Sequence, residues 1–128
     1  MPVYLLDKAY KVTDSAGVDA YRVVVQGTND AECALPSAAN AGSILGVTTH
    51  SADDDHSVSV RKAGIASVMA GGVIAVGTAV NIHGTTGKVK AIDETAGTKV
   101  NCIGFAETAA AADGDIIDVF ISIHQRTT

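Results

Sequence analysis

The sequence predicts an all-β fold, a single small β-sandwich or β-barrel domain of about eight short strands with little helix. Three observations predict it. Residues 61–92 form an apolar run cut by Gly64, Gly71, Gly72, Gly77, Gly84 and Gly87, and a helix would lose about 1 kcal/mol at each interior glycine. Residues 57–61 and 116–123 alternate between apolar and polar side chains, the period of a half-buried strand. Finally, 47% of the chain is hydrophobic but only 4% aromatic, with no Trp, so the core must be built from Val, Ile, Ala and Leu, which pack thin β-layers.

The 128 residues suit one domain with a radius of gyration of roughly 14 Å. The elements follow in order. Residues 1–12 read as an N-terminal arm or edge strand, 13–124 as the β-rich domain and 125–128 as a frayed end. Within the domain, 13–19 are dense in turn formers and 21–26 (YRVVVQ) are rich in β-branched residues, the mark of a strand. Residues 27–30 turn, 32–35 suit a short strand, and 36–42 suit either one helical turn or an open loop. Residues 43–49 return to strand, and Asp53, Asp54 and Asp55 mark a polar turn. The glycine-cut stretch reads as short strands separated by corners. Beyond it, 93–98 form a loop, and 100–107 a strand whose Gly104 points to a bulge or a close backbone approach. Residues 108–115 suit one helical turn stopped at Gly114. In 116–123, Ile117, Val119, Ile121 and Ile123 share one face.

The two halves echo each other. Ile44, Leu45, Gly46, Val47 and Thr48, an acidic turn, then Val58, Ser59 and Val60 resemble Cys102, Ile103, Gly104, Phe105 and Ala106, an acidic turn, then Ile117, Asp118 and Val119. The match needs a one-residue adjustment. It indicates either two related β-units or the common look of β-hairpins.

A net charge of −5 gives no electrostatic footprint for nucleic acid. No run of 18 apolar residues occurs and no charged-then-apolar leader opens the chain, which points to a soluble protein used without export and with no membrane partner. Cys33 and Cys102 fit no zinc or redox spacing. Each sits in an apolar context, consistent with buried free thiols, with a disulfide as the alternative. His50, Asp53, Asp54, Asp55 and His56 are the one metal-like cluster. They lie within a single turn, whereas metal sites draw ligands from a second segment, so a solvated turn is the reading and no metal is assigned. Residues 84–88 (GTTGK) lack the spacing and the following Ser or Thr of a phosphate loop, and read as a hairpin turn. No catalytic constellation is present, and no cofactor is called for.

The segment Gly71, Gly72, Val73, Ile74, Ala75, Val76, Gly77, Thr78, Ala79, Val80 resembles the head-decoration (capsid cement) proteins of tailed bacteriophages. So does the late segment Ile103, Gly104, Phe105, Ala106, Glu107, Ala109 to Ala112, Asp113, Gly114, Asp115 and Val119 to Ile121. Ala79 stands where the family often has Pro, and Asp113 where Ala is more usual. The resemblance covers about half of the chain. It implies a non-enzymatic, all-β structural virion protein, made in the host cytoplasm. Such a protein binds the outer surface of an expanded capsid and stabilises it by bridging major capsid (coat) subunits, as a homotrimer or homodimer. By the same analogy, Pro2, Val3, Tyr4, Leu5 and Leu6 are the candidate capsid contact, or else an ordinary edge strand. The alternative function is an adhesion or carbohydrate-binding module, against which the scarcity of aromatics counts.

Overall fold

The computed structural model describes residues 3–37, 42–92, 97 and 99–127. Among them there are nine strands and no helix: β1 Val3–Val12, β2 Val23–Gln26, β3 Glu32–Ala34, β4 Ile44–Thr48, β5 Ser57–Met69, β6 Ala79–Ile82, β7 Val89–Ala91, β8 Lys99–Ala106 and β9 Ile116–Thr127. The expected all-β class holds. Residues 108–115 form turns, and 38–41 and 93–96 lie outside the described residues.

Of the two architectures, it is the barrel that forms. The strand order β1-β3-β2-β4-β5 closes on itself because β1 also pairs antiparallel with β5. Beyond β5 the order continues β9-β8-β6-β7. That second series returns to the end of β5 through the parallel bridge Ala70↔Val89, where the Gly71 N–H donates to the Val89 carbonyl at 2.8 Å. The long strand β5 is therefore last in one five-strand ring and first in the next.

The two rings are copies of one plan. In the first, Lys8, Ala9, Tyr10 and Lys11 of β1 face Val60, Ser59, Val58 and Ser57 of β5. In the second, Ala66, Ser67, Val68 and Met69 of β5 face Val119, Asp118, Ile117 and Ile116 of β9. The offset is 58 on one strand (8 to 66) and 59 on the other (60 to 119). Parallel contacts repeat as Val12↔Cys33 and Ala70↔Val89, and loop bridges as Val18↔Ala52 and Ile74↔Ala110. Val24↔Gly46 and Val80↔Gly104 are each followed at once by a register shift.

The interior repeats as well. The first ring buries Tyr10, Val12, Val18, Val24, Cys33, Leu45, Val58 and Val60. The corresponding residues Val68, Ala70, Ile74, Val80, Val89, Ile103, Ile117 and Val119 belong to the second buried cluster. These are the alternate residues of the strands, so the period of two seen in the sequence becomes the lining of each barrel. A smaller cluster of Ala79, Ile92, Val100 and Cys102, with Phe105 against it, forms apart from that lining.

Gly46 and Gly104 explain why the motif around them recurs. A Cβ on Gly46 would overlap the Arg61 carbonyl oxygen, and one on Gly104 the Phe120 carbonyl oxygen. Each glycine lets its strand press against the next one, as the central position of Gly104 suggested. Gly64 departs from expectation. It does not end a strand: β5 runs through it for 13 residues. Its φ of 99° absorbs a local twist where the facing strand β1 is irregular on both sides of Leu6.

Candidate contact surfaces

The N-terminal residues singled out in the sequence form part of the first ring. Val3 and Tyr4 pair through the backbone with Ile65 and Gly64, while Pro2 lies outside the described residues. Leu5 and Leu6 are 66% and 51% exposed. Neighbouring side chains of a regular strand point to opposite faces, and the register shifts flanking Leu6 break that alternation. Immediately after it, Asp7 anchors the strand through a two-point contact with Arg61 (Nε to Oδ1 3.0 Å, an Nη to Oδ2 3.3 Å). Both side chains are mostly buried, a setting in which a forked guanidinium–carboxylate pair is stronger than a surface ion pair. The two leucines thus sit on a strand fixed at Asp7. Among the described pairings, the edge of β1 away from β5 meets only β3, at Lys11 and Val12.

The acidic turn is engaged with its own backbone. His50 donates from Nδ1 to the Ser51 carbonyl at 3.0 Å, and its Nε2 accepts the Ser59 N–H at 3.1 Å. Both ring nitrogens are committed to backbone groups of the turn and of β5. Asp55 pairs with Lys11 at 2.7 Å, a hydrogen bond and charge that hold its carboxyl below the usual range and raise the lysine. Among the described residues no group of three or more His, Cys, Asp or Glu side chains is placed to hold a metal ion.

Residues 84–88 turn between β6 and β7, with the His83 N–H donating to the Lys88 carbonyl at 2.8 Å and the Thr86 hydroxyl to the His83 carbonyl at 2.8 Å. The Lys88 ammonium is taken by Asp113 at 3.0 Å. Cys33 and Cys102 are free and buried. Burial, then the charge of Asp14, pushes the Cys33 thiol up to about 11, and burial also raises Cys102, against the opposing charge of Arg126. Neither is a poised nucleophile.

One surface went unrecognised in the sequence. Val73 and Val76, read there as part of a strand region, lie in the loop after β5 and are 75% and 65% exposed. Alignment of the two echoing halves was the available signal, since it sets Val73, Ala75 and Val76 opposite Gly17, Asp19 and Ala20.

Comparison with known proteins agrees with the resemblance seen in the sequence. A family model described as "phage cement protein" matches residues 7–121. No curated protein sequence matches. Among solved structures, the head fiber gp8.5 N base of bacteriophage phi29 superimposes with a TM-score of 0.67 at 22% identity, covering 91% of this chain and 93% of that one. At that identity the likeness is one of fold.

Proposed function

This chain belongs to the phage cement protein family, and from that premise we propose that it binds the outer surface of the expanded capsid and stabilises it by bridging neighbouring coat subunits. The structural, capsid-associated role comes with the family. The observation that carries it is the match over residues 7–121. Two barrels built on one shared strand, β5, suit the bridging part of the reading, because contacts on the two rings are joined by continuous hydrogen-bonded sheet. Weak contacts repeated at fixed spacing on a lattice add to strong attachment, with each second contact made at high effective concentration.

In this reading the chain acts as a homotrimer or homodimer on the virion, and Pro2, Val3, Tyr4, Leu5 and Leu6 contribute one of its contacts. Leu5 and Leu6 support it, being large, apolar and exposed on a strand with a largely open edge. A carbohydrate-binding module would need aromatic side chains grouped as a platform. Among the residues whose side-chain burial is described, which leaves out Tyr4, the exposed aromatics are Tyr21, just before β2, and Phe120, on β9.

Co-sedimentation with expanded, undecorated phage shells tests the proposal, with unexpanded shells as the control. Saturable binding to the expanded shell at a fixed ratio to coat protein is the expected result. Absence of binding to either shell overturns it.

A further inference from the structure

The duplicated fold supplies its own control for reading surfaces. Each ring ends in a pair of loops joined by a bridge, Val18↔Ala52 in the first and Ile74↔Ala110 in the second. The backbone plan is the same, so differences in side chains there are not imposed by the fold. Around the first bridge stand Asp53 and Asp54, both exposed, with Asp19 3.8 Å from Arg22 and Asp55 paired with Lys11 at 2.7 Å. Around the second stand Val73, Ala75, Val76, Ala111 and Ala112, also all exposed. The carboxylates near the second bridge are largely occupied: Asp113 pairs with Lys88, and Asp115 accepts the N–H groups of Ala111 and Ala112 at 2.8 and 3.1 Å. Glu107, the first residue after β8, flanks the patch. The two loop pairs lie at opposite ends of β5, whose 13 residues span roughly 40 Å. The molecule has an acidic pole and an apolar pole.

Resting on the capsid-binding reading above, we propose that the second ring's loop pair, centred on Val73 and Val76, is the surface that seats on the outer face of the coat protein. Its counterpart there is an uncharged, apolar patch, and the acidic loops of the first ring point to solvent. The two solvent-facing valines leave apolar surface in water, and burying it against a partner is favourable by about 25 cal/mol per Å². Burying the first ring's loops against an apolar partner surface would desolvate the exposed carboxylates of Asp53 and Asp54, a cost that Val73, Ala75 and Val76 do not carry. The patch is too small to make a stable dimer alone, which takes about 800 Å² and some 20–30 residues a side. It is adequate as one of several contacts multiplied by a lattice.

The test compares three proteins on expanded shells by co-sedimentation: the unaltered chain, the double variant Val73→Asp/Val76→Asp and the acidic-pole variant Asp53→Asn/Asp54→Asn. Thermal melting verifies the fold of each, and analytical ultracentrifugation its oligomeric state. Both valines are solvent-facing, so the aspartates leave the melt unchanged. They weaken shell binding by about tenfold or more, because a carboxylate is then buried against an apolar surface, while the acidic-pole variant binds like the unaltered chain. Equal binding by all three overturns the proposal and leaves the capsid-binding reading standing. Failure of the unaltered chain to bind overturns that reading itself. If the valine variant loses self-association but binds shells normally, the patch belongs to a second copy and the coat assignment is wrong.

Discussion

The first and second rings share register, bulge positions and interior, yet differ at nearly every surface residue. What they keep identifies what the fold requires: a glycine where adjacent strands touch, and aliphatic residues at the eight matched interior positions. What they do not keep, above all the loop pairs at the two poles, is free of folding duty and open to function. Tyr10 is the main exception inside. It fills the place of Val68, and its hydroxyl reaches the surface to accept from Lys62 at 2.7 Å while Lys8 and Lys62 lie against its ring. The first ring has spent one interior position on an amphipathic side chain capped by two cations.

Substitutions at matched positions test whether the two rings are equivalent. The largest effect is expected from Gly46→Ala and Gly104→Ala, each of which drives a methyl group into a facing carbonyl. Each should cost about 3 kcal/mol or more in urea unfolding, and one harmless alanine would show that the rings are not equivalent there. Tyr10→Val, which installs the second ring's residue, should cost about 2 kcal/mol, since it removes buried aromatic volume and the Lys62 contact. No loss would mean that the first ring's interior repacks freely. Cys33→Val, the same graft from Val89, keeps a small apolar group in place and should shift stability by less than about 1 kcal/mol. In the unaltered chain, both thiols should react with an aromatic disulfide at pH 8 only as the protein unfolds. Rapid native labelling would contradict their burial.

The smallest effect concerns the ion pairs Lys11–Asp55 and Lys88–Asp113, whose carboxylates stand at matched positions after Ala52 and Ala110 while their lysines come from unmatched ones. Both carboxyls are held below their ordinary 3.8, first by the hydrogen bond and then by the charge of the lysine. A carboxyl depressed in the folded state adds stability above its unfolded value and loses it as pH falls through the folded one. The contribution is therefore present at neutral pH and declines once the pH falls below 3.8 toward the lower folded-state value, and both pairs are screened by salt. Melting temperatures of Asp55→Asn/Asp113→Asn and the unaltered chain should converge at pH 3 and separate slightly at pH 6. A difference that is independent of pH would assign the effect to something other than charge.

The sequence made the second half of each repeat legible and the first half opaque. The segments around Gly46 and Gly104 resemble each other because close strand approach leaves glycine alone admissible, and the strands that follow them alternate, apart from Ile116 and Phe120 on the outer face of β9. β1 and the later part of β5 occupy matching places without visible likeness. β1 lies at the end of the two-ring stack, where Leu5 and Leu6 meet solvent, whereas the corresponding Ala63 and Gly64 lie between two rings. The expected corner at Gly64 failed for the same reason, since that glycine serves a junction inside one long strand. Residues 71–78 misled differently. Apolarity usually reports burial, and at Val73 and Val76 it reports an exposed loop. Residues 125–127, expected to fray, continue β9, with Thr127 facing Lys99.

The most direct test of the central claim, that one duplicated fold presents two functionally distinct poles, is a cryo-electron microscopy reconstruction of expanded shells decorated with this protein. The expected density has the loops at Val73 and Ala111 against the coat protein and the turn at Asp53 and Asp54 pointing outward. Density with the acidic turn against the shell and the valine loop in solvent would contradict it.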